Sequence, residues 1–257
     1  HVIKYRLPRN IIARMQSLEY DRSFLAARIL LDKINANMII SGAFGLFEKK
    51  TVIAVGGYDS STMGEDMELV VRLHEFSRMN RKPYKIDFAQ DAICWSQTPE
   101  KLSELCKQRK RWQRGLFQCM WGHRKMLANP RYGAVGLLSY LYFLLYELLS
   151  PFIELLGVLT MVLSVVMDML NVKFMLVFLA CYALYGILLT LTAYFSRIYT
   201  IDQRLSFREL ILAIIACFFE TTFLRFYLAF VRVTAFVGYK KNKLNWGKLE
   251  RKKMNRI

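Results

Sequence analysis

Acidic side chains are scarce in this sequence: 20 Asp and Glu stand against 37 Lys and Arg, a formal charge of +17 over 257 residues. Histidine occurs 3 times and proline 5 times, and the 5 cysteines (Cys94, Cys106, Cys119, Cys181, Cys217) are scattered. Cysteines without regular spacing, two of them inside apolar runs, exclude a disulfide framework and a zinc ribbon. Cys119 and His123 stand one helical turn apart, yet no second pair of ligands joins them, so a buried thiol and an interfacial imidazole are expected rather than a metal site. Zinc-finger spacing, an RNP-like aromatic motif and a glycine-rich phosphate loop are all missing, which removes the main nucleic-acid-binding modules despite the basic charge. No secretory leader precedes the folded-looking start, and the first residue is His, so the chain reads as a piece of a longer protein.

What is abundant is apolar: 54 % of the residues are hydrophobic. A chain both very basic and very apolar points to a membrane protein with basic cytoplasmic surfaces. Beyond Pro130 charge nearly disappears, and residues 136–167 carry only Glu147 and Glu154 before Asp168, with Pro151 between them. That run is too long for one straight crossing and predicts an interfacial segment leading into a transmembrane helix, or two joined segments. Residues 174–195 form a clean transmembrane candidate, while 211–237 hold Glu220, Arg225 and Arg232. Charges at membrane depth are costly, so these face other helices, a polar channel or the interface. The basic tail from Lys240 to Arg256 predicts a cytoplasmic C-terminus. Three simple crossings from a cytoplasmic domain would put that tail outside, so one apolar stretch is expected to be re-entrant, interfacial or double.

Ahead of the membrane the pattern is mixed. Residues 1–10 read as extended with a break at Pro8, and 10–33 as an amphipathic helix or broken pair. Residues 37–47 (Asn-Met-Ile-Ile-Ser-Gly-Ala-Phe-Gly-Leu-Phe) read as a buried strand whose glycines suit a bulge or a ligand close to the backbone. A short helix over 49–55 closes at Gly56-Gly57, and Glu65-Asp66 opens a helix running through Phe76. Two carboxylates at a helix start are also ordinary helix-start chemistry. Strands are predicted at 84–89 and 92–96 around a turn at Gln90-Asp91, then a helix capped by Thr98 with Pro99 in its first turn, running to about Leu127.

That last helix carries Gln108, Arg111 and Trp112 at i, i+3 and i+4, on one face. An amide can bond sugar hydroxyls, a guanidinium can hold phosphate oxygens with a rigid fork, and an indole offers an apolar ring to a pyranose. A basic helix at the membrane surface, with Trp112 as interfacial anchor, explains the same residues.

In order and spacing, Ser41-Gly42-Ala43-Phe44, Gly56-Gly57-Tyr58-Asp59, Gly64-Glu65-Asp66, Gln108-Arg109-Lys110-Arg111-Trp112 and the tail Trp-Gly-Lys-Leu-Glu-Arg (246–251) resemble the processive, membrane-integrated family 2 glycosyltransferases. These include the synthases of cellulose, hyaluronan, chitin and poly-N-acetylglucosamine. The resemblance covers essentially the whole chain. It implies the second half of an α/β, GT-A type domain over 1–130, interfacial and transmembrane helices over 131–237 and a basic cytoplasmic tail over 238–257. It implies inverting transfer of a sugar, N-acetylglucosamine as the family-based guess, from a nucleotide-sugar to a growing β-linked polysaccharide. Asp66 would be the base, Glu65 its support, Arg111 a holder of diphosphate, Gln108 and Trp112 the lining where donor meets acceptor, and Ser41 and Gly42 the border of the acceptor pocket. The family's Asp-x-Asp, which binds Mg²⁺ or Mn²⁺, does not occur here. The cation's main ligands are therefore expected outside this chain, and the chain alone is expected to be inactive. Membrane lipids, a glycan or lipid acceptor and an accessory membrane subunit are the implied partners, and nucleic acid is not among them. A bacterial plasma (inner) membrane, crossed several times with the catalytic domain cytoplasmic, is the implied location. Two other readings stand beside this one: transfer of a single sugar to lipid, as in ceramide glucosyltransferase-like enzymes, and a non-catalytic membrane scaffold.

Overall fold

The structure is a computed structural model and describes residues 2–3, 10–81, 84–89, 92, 94–96, 98–201 and 206–239. Pro8, the Gln90-Asp91 turn, the basic tail and the motif at 246–251 lie outside the described residues.

The first helix starts where Asn10 caps it, its side-chain oxygen accepting from the backbone N–H groups of Ile12 (2.9 Å) and Ala13 (3.2 Å). Helix α1 (Ile11–Arg22) passes through a π turn (Ser23–Ala27) directly into α2 (Arg28–Lys33). The expected break is thus one inserted residue's worth of unwinding within a continuous helix. A parallel pair, β1 (Val2–Ile3) and β2 (Cys94–Trp95), is the single ladder among the described residues. The strand expected at 37–47 is absent: Asn37 and Met38 are buried, but Leu46 is 98 % exposed, and a turn closes where Phe44 N–H donates to Ser41 C=O. A strand forms only against a partner edge, and this stretch has none among the described residues. Residues 84–89 are also extended without a ladder. Side chains replace it: Ile86 N–H donates to Asn35 Oδ1 (3.1 Å) and Phe88 N–H to Asp32 Oδ1 (2.7 Å). The expected α/β character therefore rests here on two residues per strand.

Helix α3 (Lys49–Ala54) ends as predicted, with Gly56 and Gly57 at φ of 90° and 74°, a conformation that a Cβ makes strained. Helix α4 spans Glu65–Met79. Helix α5 (Leu102–Gly122) starts later and ends earlier than expected. Thr98 is buried and caps nothing. The carbonyls of Pro99 and Glu100 instead accept from Gln16 Nε2 (2.8 Å) and Asn10 Nδ2 (3.0 Å), which fastens the entry of α5 to α1.

Residues 135–166 are helical throughout: a π turn (Val135–Ser139), α6 (Tyr140–Tyr142), a second π turn (Phe143–Leu149) and α7 (Ser150–Val166), with Pro151 in the first turn of α7. There follow α8 (Val172–Ile201), α9 (Phe207–Phe219), a π turn (Glu220–Leu224) and α10 (Arg225–Val233). Three stretches, Val135–Val166, Val172–Leu189 and Phe207–Phe236, are long and apolar enough to cross a membrane. The first has 32 residues, about 48 Å of helix against a hydrocarbon core of about 30 Å. Its beginning packs on protein: Ser139 Oγ donates to Ala36 C=O and the Tyr140 hydroxyl to Met120 C=O. Its end exposes Leu156, Leu159, Val162 and Val166.

The main core joins the two regions, with Met38, Met67, Val71, Cys119, Met120, Val135, Tyr140 and Leu148 in one cluster. A second cluster packs Met15 and Leu18 of α1 on Ala213 and Ala216 of α9. The charges inside the apolar stretches pair from helix to helix. Arg22 of α1 holds Glu220, Arg225 holds Glu154 of α7 at 2.7 and 2.9 Å, and Arg232 lies 3.8 Å from Glu147.

Candidate active site

Helix α4 begins on the acid pair because Gly64 precedes it at the point of closest approach to α5. A Cβ on Gly115 would stand 2.7 Å from Gly64 N and 2.9 Å from its Cα, so the two backbones touch. Gln118, one turn further along α5, fixes the same loop: its Oε1 accepts from Met63 N–H (2.8 Å) and Thr62 Oγ1 (3.2 Å). The start of α4 is thereby set against the helix that carries Gln108, Arg111 and Trp112.

Asp66 is held by backbone donors. Its Oδ2 accepts from Gly42 N–H at 3.0 Å and its Oδ1 from Met67 N–H at 2.8 Å. The turn at Ser41–Phe44, misread as strand in the sequence, is what aims Gly42 N–H at this carboxylate; Ser41 enters through its carbonyl. Upstream, buried His74 of α4 donates from Nε2 to Asn37 C=O (2.8 Å), and burial above all lowers its pKa to about 4. The imidazole is therefore a neutral pin between α4 and the residues leading to the turn. Burial first, and the charge of Asp66 after it, hold the Glu65 carboxyl above its ordinary pKa, against the pull of its own backbone bond and of Arg111. Glu65, Asp66 and Arg111 accordingly share one electrostatic neighbourhood.

On α5 two faces do different work. Leu105, Arg109 and Gln113 are buried. Arg109 forms a two-pronged pair with Glu19 of α1 at 2.6 and 2.5 Å. Gln113 donates from Nε2 to Leu148 C=O (3.0 Å) and accepts at Oε1 from Arg232 Nε (2.7 Å). The adjoining face carries Trp112, 41 % exposed, with the Arg109 guanidinium 4.8 Å from its ring centre and the Tyr20 ring at 6.3 Å. Gln108 Oε1 is buried and has no hydrogen-bond partner among the described residues. Tyr20 is pushed up to about 12, chiefly by burial, with Arg109, Glu19, Gln108 and Arg111 as its polar neighbours. Gly42, Glu65, Asp66 and Arg111 are thus neighbours, while Gln108 and Trp112 of the same helix lie beside Tyr20. Tyr20 and Gln118 stand beside them unforeseen, because the Glu19–Arg109 pair and the touching glycines leave no periodic signal.

Cys119 is buried, 1 % exposed, as expected. His123 is not simply interfacial: Nδ1 lies 2.7 Å from Glu75 Oε2 and Nε2 3.4 Å from Glu68 Oε1. Burial opposes its charge, but the bonds to Glu68 and Glu75 outweigh that and raise its pKa. Among the described residues no group of three or more His, Cys, Asp or Glu is arranged to hold a metal ion. The described residues do not by themselves make a divalent-cation site.

The start of α4 therefore holds a carboxylate on two backbone N–H groups, packed by Gly64 against the helix that carries Arg111 and Trp112. Comparison with known proteins gives the class. The model for "Glycosyl transferase family group 2" matches residues 1–238, and the chain belongs to that family. The poly-beta-1,6-N-acetyl-D-glucosamine synthase of Staphylococcus aureus (strain COL) is 32 % identical over 120 residues, covering 47 % of this chain and 26 % of that protein. The protein of the same name from Staphylococcus epidermidis is 31 % identical over 120 residues, with the same shares. The alignment thus spans about a quarter of the curated relatives' length. No solved structure matches the chain.

Proposed function

We propose that the protein containing this chain transfers a sugar, with inversion, from a nucleotide-sugar to a growing β-linked glycan at a membrane, and that the sugar is N-acetylglucosamine. The observation that carries this reading is the junction of Gly64 and Gly115, which sets Asp66 against the helix of Gln108, Arg111 and Trp112. In this mechanism Asp66 accepts the proton of the acceptor hydroxyl, whose oxygen bonds to the anomeric carbon as the bond to the diphosphate oxygen breaks. A base on the nucleophile and positive charge on the leaving group are what such a displacement needs. Gly42 N–H orients the base, Arg111 faces the departing diphosphate, and Trp112 supplies a ring face to the acceptor. Glu65, its carboxyl held above the ordinary carboxylate pKa chiefly by burial, stands beside Asp66 as its support. The family's divalent cation has its main ligands outside this chain. The apolar helices anchor the site in the plasma (inner) membrane, catalytic domain cytoplasmic.

The names of the staphylococcal relatives support the choice of sugar and of a polymeric product. The test is labelled UDP-N-acetylglucosamine given to membranes holding the full-length protein, followed by sizing of the product. A ladder of β-linked glycans, lost in Asp66→Asn, supports the reading. A single glycolipid moves the assignment to lipid glycosylation, and undiminished transfer by Asp66→Asn removes Asp66 from the role of base.

A further inference from the structure

Two points fix how helices α4 and α5 cross. One is the contact of Gly64 with Gly115, secured by Gln118 beside it; with no side chains between the backbones it is a pivot. The other is His123, eight residues and about 12 Å further along α5. Its ring stands between two carboxylates of α4, Nδ1 at 2.7 Å from Glu75 Oε2 and Nε2 at 3.4 Å from Glu68 Oε1, with 11 % of the side chain exposed. Glu68 in turn holds Arg72 at 2.7 Å, and Arg72 donates to the carbonyls of Val55 (2.5 Å) and Gly57 (2.6 Å), where the loop leading to Gly64 begins. One imidazole thus braces both the helix crossing and the entry to the acid pair.

The geometry fixes the proton count. A neutral imidazole has one N–H, and its other nitrogen would turn a lone pair toward a carboxylate oxygen, whereas the imidazolium donates on both sides. The C-cap of α5, at the negative end of the helix dipole, favours the same charged form. Burial opposes it, and the bonds to Glu68 and Glu75 outweigh burial. The other groups around the ring leave this balance standing. Arg72 lies behind Glu68, and Arg124 is turned to the ring and carbonyl of Trp121. On α5 the Cys119 thiol is raised by burial and then by Glu68, and in the turn Pro130–Tyr132 the Tyr132 phenol is raised by burial and then by Glu75, with Arg131 opposing. Both stay neutral where an imidazolium titrates.

We infer that the His123 imidazolium is a positioning residue for transfer: it holds α4 at the crossing angle that sets Asp66 against Arg111, and loss of its proton slackens that hold and slows the reaction. This deepens the transferase reading above and rests on it. Arg111 lies four residues before Gly115, about 6 Å from the pivot, so a rotation of about 5° displaces it by about 0.5 Å. At about a hundredfold in rate per 1 Å, about tenfold is at stake.

The test is kcat of the full-length protein in membranes, with saturating UDP-N-acetylglucosamine, from about pH 6 to about pH 9. Wild-type kcat falls about tenfold to a lower plateau on the alkaline side as His123 loses its proton. His123→Gln, which offers a single amide donor group, sits at that lower plateau throughout and shows no alkaline step. Glu75→Gln removes one of the two carboxylates that favour the imidazolium, and moves the step to lower pH. It keeps the shape of the side chain, and it decides the matter where His123→Gln does not fold. A residue that only filled space would lower the rate evenly and leave the pH profile in place. A wild-type profile without an alkaline step, or a step that stays at the same pH in both variants, overturns this inference alone. Absence of any transfer by the wild type overturns the transferase reading and this inference together.

Discussion

Gly115→Ala separates packing from chemistry. The added methyl would stand 2.7 Å from Gly64 N and 3.0 Å from Met63 C, about 0.7 Å short of the 3.4 Å at which ordinary contact begins. Every atom it meets is backbone, so no side chain can swing away. Either α5 or the start of α4 moves, and Asp66 moves relative to Trp112. Overpacking of this kind costs about 1–3 kcal/mol, while Ala in place of Gly inside a helix returns about 1 kcal/mol. Global stability should therefore fall by no more than about 2 kcal/mol. Rate should suffer more, because a misplacement of about 1 Å between reacting groups is worth about a hundredfold. The assay is initial transfer rate in membranes beside the melting temperature of the detergent-solubilised protein. Gly122→Ala, on the same helix with nothing within 4 Å of its Cβ position, is the control and should keep the wild-type rate. A Gly115→Ala protein as active as that control would refute the claim that the paired glycines set the distance between base and motif helix.

Asp66→Asn should reduce transfer at least about a hundredfold, the scale of general-base assistance, with the melting temperature little changed; product quantified from membranes checks this. The two histidines of α4 and the α5 C-cap should show opposite pH signatures in thermal unfolding. His123 is raised above 6.5, so its contribution is complete below that pH and is lost as pH rises through the raised value; the deficit of His123→Gln should shrink toward alkaline pH. His74 is lowered to about 4, so its contribution is complete above 6.5 and is lost as pH falls toward 4, and His74→Gln, which keeps an N–H donor, should be less acid-sensitive in that window. Glu220→Gln should cost about 3 kcal/mol by breaking the pair with Arg22, and the exchanged pair Arg22→Glu with Glu220→Arg should recover part of it in melting measurements.

Helices and membrane stretches were legible in the sequence because their evidence is local: periodic apolar residues, the Gly56-Gly57 stop, charge-free runs. The α5 motif was legible for the same reason, since i, i+3 and i+4 residues of a helix share a face whatever surrounds them. The strand at 37–47 was misread because a short apolar run reports burial, and a ladder also needs an edge to pair with. Thr98 was misread as a cap because its neighbours Pro99 and Glu100 direct their carbonyls to α1, a contact between residues more than 80 positions apart. Tyr20 was invisible as a neighbour of the motif helix for a similar reason: its side is set by Glu19 pairing with Arg109, which leaves no spacing to count.

Gln113 lies beside Trp112 in the chain and holds Leu148 C=O and Arg232 at once. One amide thus fastens α5 to both the first and the last apolar stretches, while Arg109 fastens it to α1. A helix moored at those points is not free to slide past the bundle. Trp112, on the free face beside these bonds, can change position by its own side-chain torsions or together with the helices that Gln113 and Arg109 hold. The backbone left with freedom to move near the base is the exposed turn after Ser41, whose hold on Asp66 is a single N–H.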